Sequence, residues 1–413
     1  MKGRILYLSY TGMLEPLGRS QVLSYLARLS NEYTFTLVSF EKPVDLADAN
    51  AVTSLHSECN RQGIDWRPQV YHYRPRLLAT AWDLLVLLWH TFRHSFKQEV
   101  RLLHCRSYIP AIAAWMCGKL TRKPFIFDMR ALWPEEMVTA GRLRRGALTY
   151  RILMWVERRL LRRAARVVSL TQAGVDHLLM AYPELSPAKF EVITTCVDVE
   201  RFHAPASRSA DLKAGDRSPF VVGTMGTLLS GWFYLDAFFA FFMAVKRLRP
   251  DAVARIVTRD DHGEIFRMAV KAGVDSTDVE VRSALPTEMP ELLADMDVGA
   301  MFYAPDIGRA PTRLGEFLAS GVPVVGNTGI GDLGRLIDGY GVGVVVDDAQ
   351  NSAALAEAAQ DLLGRYDGIL ASGACRHAAE DYFSADKGAE KYRRVYQALI
   401  LERGSSGRAE KAP

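Results

Sequence analysis

The sequence predicts an α/β protein built as two doubly wound domains, and three observations carry that reading. Short β-rich apolar runs alternate with amphipathic helical stretches along the whole chain, the pattern of βαβ units whose parallel strands are covered on both faces. At 413 residues the chain is too long for one ordinary core. The alternation halts once, at 203–218 (HAPASRSADLKAGDRS), where Ala, Ser, Asp, Gly and Pro displace apolar periodicity and mark an exposed linker.

In the first domain, 1–202, strands are expected at 4–9, 34–40, 101–105, 124–128, 166–170 and 190–193. The first of them, Ile5 to Ser9 behind Met1-Lys2-Gly3-Arg4, is too short for a signal peptide and suits a buried strand. Helical patterns lie at 19–30, 45–62, 77–95, 107–120, 146–164 and 172–181. After the linker the pattern restarts in a second domain, 219–383. Its strands are expected at 219–224, 253–258, 278–282, 297–302, 322–326 and 342–346, with helices between. A final helix, 384–402, carries Tyr392, Val395, Tyr396, Leu399 and Ile400 as a one-sided stripe, and the polar residues 403–413 are expected to fray. Doubly wound sheets bind ligands at the carboxyl ends of their strands, so two such domains facing a cleft would each hold one substrate.

The net charge of +4 conceals a split: residues 1–200 carry 27 Lys+Arg against 18 Asp+Glu, and the remainder 24 against 29. The total is too mild to argue for nucleic acid. Five scattered cysteines without metal-ligand spacing point to a reducing, cytoplasmic setting. The longest apolar stretch, Leu77 to Phe92, falls short of the ~20 residues of a membrane span. It is apolar nearly all round, with Trp82 and Trp89 on one face; a buried helix and a membrane-docking one both explain it, and burial is the favoured reading.

The most informative stretch is Tyr303 to Asn327, YAPDIGRAPTRLGEFLASGVPVVGN. A strand ends near Tyr303, a loop runs through Pro311, a short helix starts at Thr312 and stops at Gly321, and a buried strand follows. With Thr312 as N-cap, the amides of Arg313, Leu314 and residue 315 would form an anion site, to which Arg313 adds a full positive charge. Glu316 sits about 6 Å further along the axis, a suitable distance for a carboxylate that grips a diol while the amides hold a diphosphate.

The segment PTRLGEFLASGVPVV resembles the donor-binding segment of family 4 glycosyltransferases, of the GT-B fold. ILYLSY followed by TGMLEPLGRSQV, RSY at 106–108, FDMR at 127–130, SLT at 169–171 and VITTCVDVERF at 192–202 agree with it, so the resemblance covers about residues 4–400. It implies two Rossmann-like domains, with the acceptor on the first and a nucleotide-diphosphate sugar on the second. It further implies retention of anomeric configuration, no obligatory metal or cofactor, and a last helix that crosses back to the first domain. Glu316 then holds the ribose. Two departures stand out. Many members carry a second glutamate eight positions earlier, where this chain has Gly308, and a basic pair after the first strand of the second domain, where it reads GTMGTLLSGW, with Gly226 and Thr227. Arg313, Arg309, Arg259 and arginines of the first domain are the candidates to offset the phosphate charge.

Two motifs read as decoys. Gly329-Ile330-Gly331-Asp332-Leu333-Gly334 matches the dinucleotide fingerprint but falls on about the fifth strand of its domain rather than the first, and Gly329 suits a diphosphate-sugar turn instead. Asp295-Met296-Asp297 sits at a helix-to-strand junction without further oxygen ligands and reads as structural.

In the first domain, Gly12 and Gly18 of the loop Thr11–Arg19 would let backbone approach a ligand. His104 and Arg106 end one strand; Asp128 and Arg130 end the next. Related enzymes often have a histidine at the place of Arg106; arginine cannot abstract a proton, but Arg106 and Arg130 can stabilise a leaving diphosphate. Residues 142–166 contain nine arginines, and a helical projection puts Arg151, Arg158, Arg159, Arg162, Arg163 and Arg166 on one arc with Leu148, Ile152 and Trp155. This arc suits an anionic membrane surface, a solvated face or a contact with the acidic domain. Glu157, on the opposite apolar arc, requires a partner.

The expected function is transfer of a sugar from a nucleotide sugar to a lipid-linked or polysaccharide acceptor in bacterial envelope biosynthesis, by a cytoplasmic protein peripheral to the membrane. The alternatives are a GT-B nucleotide-sugar epimerase and a non-catalytic sugar-nucleotide-binding scaffold.

Overall fold

A computed structural model describes residues 3–97, 99–203 and 219–409. Of the expected linker, all but His203 lies outside these residues. The chain divides into two compact units, Met1–Thr194 with Ala385–Pro413, and Thr195–Ser384. The first boundary therefore falls before 202. Residues 195–202 are tied to the second unit, where Val197 N–H donates to Phe383 O at 2.7 Å and Arg376 Nη1 donates to the carbonyls of Val199 and Phe202.

The first unit holds a seven-stranded parallel sheet: β1 (Gly3–Ser9), β2 (Tyr33–Glu41), β3 (Ile64–Val70), β4 (Val100–Arg106), β5 (Phe125–Asp128), β6 (Arg166–Ser169) and β7 (Phe190–Val192). Their order is β3-β2-β1-β4-β5-β6-β7. The second unit holds six: β8 (Val221–Met225), β9 (Val253–Val257), β10 (Val279–Arg282), β11 (Val298–Met301), β12 (Val324–Asn327) and β13 (Gly343–Val346), ordered β10-β9-β8-β11-β12-β13. Each is the doubly wound order, with its reversal beside the unit's first strand, where ligands of such sheets bind. The central strands are continuous apolar runs because helices cover both faces.

β3 was not expected from the sequence. It is an edge strand that pairs only β2, and its run IDWRPQV includes Pro68 and three further polar residues that an edge tolerates. A short helix, Trp133–Thr139, follows β5 and carries Glu135 and Glu136 in its first turn. The last helix, Ala385–Ala409, is part of the first unit and extends past the expected end at 402. It buries Tyr392, Val395, Tyr396 and Leu399, and its rim is fixed by Arg28–Asp386 and Arg393–Glu32 ion pairs, each at 2.7 Å.

The helix Arg76–Ser95 contradicts the expected burial of Leu77–Phe92. Ala79, Asp83, Leu87, Thr91, His94 and Ser95 face inward, while Leu77, Leu78, Trp82, Leu85, Trp89 and Phe92 face outward. On the inward face Asp83 accepts from Tyr10 Oη at 2.8 Å and from the His72 ring at 2.6 Å, and Thr91 Oγ1 donates to Leu87 O, whereas His94 Nδ1 and Ser95 Oγ are buried without partners.

Candidate functional site

In the second unit the chain leaves β8 through Gly226, which has φ of +96° and donates its N–H to Val257 O at 2.8 Å. The Arg313 guanidinium lies on this glycine, in the space any Cβ would fill. Arg313 Nη2 donates to Thr227 O at 3.3 Å, and the guanidinium sits over the rings of Tyr303 (5.5 Å) and Phe233 (5.7 Å). Its Nη1 is buried without a hydrogen-bond partner. A cation on an aromatic floor with an unmet N–H is a receptor for an anionic oxygen.

Arg313 belongs to the helix Thr312–Ala319, whose N-cap is Pro311, not Thr312. The fixed φ of proline (−65°) and its extended ψ place Pro311 just outside the helix, so Thr312 is the first helical residue and no side chain caps this end. Leu314 N–H donates to Pro311 O at 3.2 Å, which removes it from the expected amide set. Glu316 lies half-buried one turn on, and burial pushes its carboxyl up to about 7, against the pull of Arg313 and then Arg201.

The remaining donor-side candidates separate on charge. Arg309 stacks over Trp232 at 4.6 Å and pairs with Asp306 at 3.3 Å, so its charge is offset locally. Arg259 is exposed beyond β9, next to Asp260. The Asp260 carboxylate takes the N–H groups of Leu228 (2.6 Å) and Leu229 (2.9 Å), so the loop after β8 has these amides already occupied. Gly329, at φ of +82°, packs on Pro305, and its carbonyl accepts from Asp306 N–H at 2.8 Å. Gly331 N–H donates to Asp306 O, so this turn is spent on the loop 303–311 rather than open to a dinucleotide. In the D-x-D motif, Asp297 accepts from Val221 N–H and Tyr366 Oη, and Asp295 lies 3.8 Å from Arg255; both are structural.

The first unit shows the same device at its first loop. Glu41, buried at the end of β2, accepts from Met13 N–H (2.8 Å) and Leu14 N–H (3.0 Å). Gly12 is required because a Cβ would meet that carboxylate, and Gly18 because a Cβ would fall on the backbone of Gly12. The two glycines therefore serve packing, and Arg19 is turned toward Glu58 at 3.3 Å.

At the carboxyl ends of β4 and β5 lies a buried polar cluster. Asp128 accepts from Arg130 Nη1 (3.3 Å) and Tyr392 Oη (3.0 Å) and meets His104 Nε2 at 3.2 Å. His104 Nδ1 lies 2.6 Å from Tyr396 Oη, so the tautomer with the proton on Nε2 satisfies both contacts. Burial alone would raise the Asp128 carboxyl, but Arg130, His104 and Arg106 hold it well below the usual carboxylate range. Arg106 is buried 4.0 Å from Asp128, with its Nε and Nη1 lacking hydrogen-bond partners. The two predicted arginines thus share one carboxylate. Glu157 also has the partners it needed: Tyr108 and Tyr182 donate to it at 2.5 and 2.9 Å. On its helix, Leu148–Arg163, Arg151, Trp155, Arg159, Arg162 and Arg163 are exposed and Arg158 pairs with Glu184, whereas Arg166 begins β6 and leaves the arc.

Residues 21–201 match the family model Glycosyltransferase Family 4. Within its first half the chain is similar to that family. Among solved structures, sucrose-phosphate synthase from Thermosynechococcus elongatus is 15% identical, with a TM-score of 0.72 over 97% of this chain and 100% of that one. Anabaena HepE in complex with UDP and glucose is 17% identical, with a TM-score of 0.66 over 96% and 99%. WaaG, a glycosyltransferase involved in lipopolysaccharide biosynthesis, is 16% identical, with a TM-score of 0.63 over 94% and 98%. At these identities the likeness establishes the fold, GT-B with two Rossmann-like domains. No curated protein sequence matches the chain.

The segment around Glu316 is the one that carries the resemblance, and the chain differs around it. At Gly308, the place of the family's other glutamate, the N–H donates to the carboxylate of Asp306, an acid the sequence reading passed over. Asp260 and the aromatic floor of Trp232, Phe233 and Tyr303 were also missed. The signal for Asp260 was its position just after the second strand of its domain, matching Glu41 in the first.

Proposed function

We propose that the chain is a glycosyltransferase that moves a sugar from a nucleoside diphosphate sugar to a lipid-linked or glycan acceptor of the bacterial envelope. Retention of configuration, independence from metal, and a peripheral site on the inner face of the membrane belong to the same reading. The observation that carries it is Arg313. Its guanidinium is seated on Gly226 and two aromatic rings with Nη1 buried and unmet, beside the open end of its helix, an arrangement that fits a diphosphate. Glu316, four residues on from Thr312, then accepts from the ribose diol. HepE, which shares the fold, was crystallised with UDP and with UDP-glucose, which makes UDP-sugars the first donors to try. In the first unit Arg106 and Arg130 are the cationic candidates, both beside Asp128. Neither removes a proton, so the acceptor oxygen bonds the anomeric carbon as the bond from that carbon to the diphosphate breaks, and the hydroxyl proton passes to the leaving diphosphate oxygen, with no protein nucleophile.

The test is a melting-point screen against a panel of nucleotide sugars, since binding to the folded state raises the melting point. Transfer with the best donor follows, with the product's anomeric configuration read by NMR. Interconversion of the sugar without an acceptor would replace this reading with an epimerase. Binding without any turnover would replace it with a scaffold.

A further inference from the structure

We propose that the outward face of the helix Arg76–Ser95 inserts into the interfacial layer of an anionic membrane, with the arginines of the Leu148–Arg163 helix binding its headgroups. This extends the peripheral-membrane part of the proposed function and rests on none of its chemistry.

The outward residues follow a strict alternation of four and three: Leu78, Trp82, Leu85, Trp89, Phe92 and Phe96. They are far from buried, with Leu78 70%, Trp82 57% and Trp89 59% exposed. Single exposed apolar side chains are ordinary, but a contiguous band of this kind is an interaction surface. The band continues onto neighbouring helices. Cys117 of the helix Tyr108–Thr121 meets Leu88 O at 3.8 Å, and that helix exposes Met116 and Leu120. Trp115 of the same helix packs edge-on against Trp155 at 5.9 Å, where Leu148–Arg163 exposes Leu148, Ile152 and Trp155.

Charge decides among occupants. Arg151, Arg159, Arg162 and Arg163 are exposed on the last of these helices, with Arg159 over the Trp155 ring at 5.2 Å. The one acid of that helix, Glu157, is buried against two tyrosines and offsets nothing at the surface. Such a face repels a second copy of itself and attracts anionic lipid. No described helix is long and apolar enough to cross a membrane, and the inward face of Arg76–Ser95 is packed on the first unit. The helix, about 30 Å long by its 20 residues, therefore lies in the membrane plane with its tryptophans at headgroup depth.

Density-gradient flotation of the full chain tests this, with vesicles of phosphatidylethanolamine and phosphatidylglycerol compared with phosphatidylcholine alone. The protein should float with the anionic vesicles, and its tryptophan emission should shift to the blue. Trp82→Ser with Trp89→Ser should lower the bound fraction roughly tenfold without lowering the melting point, because both side chains are exposed. Arg159→Ser, Arg162→Ser and Arg163→Ser together should leave only the weak binding seen on phosphatidylcholine. Absence of flotation on anionic vesicles overturns the proposal, as does equal flotation by the tryptophan variant. A solution dimer that the same tryptophan variant dissociates would also overturn it, by assigning the band to self-association. No nucleotide enters the experiment, so its outcome is separate from that of donor binding.

Discussion

Glu316 titrates where it can be watched. Burial raises its carboxyl to about 7 in the free protein, while its proposed task, accepting from a ribose diol, needs the ionised form. With a midpoint near 7, the ionised fraction climbs from about one-tenth at pH 6 to about nine-tenths at pH 8. The affinity for a nucleotide sugar should then rise about tenfold over that interval, or ~1.4 kcal/mol. A UDP-sugar is the right probe, because its diphosphate diester does not titrate there. Binding should also release a proton near pH 7, visible by calorimetry as a dependence on the buffer's ionisation enthalpy. Glu316→Gln should bind weakly and without this slope. The stability sign is the opposite one. The folded carboxyl lies above its ordinary 4.5, so the native state holds the proton more tightly and stability falls as pH rises from 4.5 toward 7. Glu316→Gln should remove that fall in melting experiments. A pH-independent wild-type affinity between pH 6 and 8, with no proton release, would refute the role assigned to Glu316.

Gly226→Ala should lower stability by ~1–3 kcal/mol and weaken donor binding, because its Cβ would land on the Arg313 guanidinium at a backbone φ of +96°; denaturant melts and calorimetry read both. Asp128→Asn should cost ~3–5 kcal/mol in a urea melt, since it leaves Arg106 and Arg130 buried without their counter-charge. Because the folded Asp128 carboxyl is held below its ordinary value, its stabilisation is complete above about pH 4 and is lost as pH falls toward the lowered value, so acid melts of the wild type and Asp128→Asn should converge.

The strand positions followed from patterns that a short window of residues contains. Val322 to Val325 and Ile5 to Leu8 are uninterrupted apolar runs because both faces of a parallel sheet are covered, and such runs need no partner to be recognised. β3 lacks that mark, since an edge strand with Pro68 has only one side to bury. The helix Arg76–Ser95 misled for the converse reason. Its core face includes Asp83, Thr91 and His94, and only Asp83 has partners brought to it by the fold, so hydrophobicity alone did not mark the buried side. In the site, Arg313 and Glu316 were legible from their spacing on one helix and from the family resemblance. The seat beneath Arg313 was not, because Gly226 and Tyr303 come from other segments and meet it only in three dimensions. The occupation of the first loops by Glu41 and Asp260 was hidden in the same way, as each carboxylate reaches its amides from a neighbouring strand end.

The central claim is that the second unit holds a nucleoside diphosphate sugar through Arg313. Calorimetric titration of the full chain with a UDP-sugar at pH 8, wild type against Arg313→Met, tests it most directly. Methionine keeps the contact with the aromatic floor and removes the charge and the unmet N–H. The account predicts wild-type binding and at least a roughly tenfold loss in the variant, with the fold intact by circular dichroism. Equal affinities of the two proteins would contradict it.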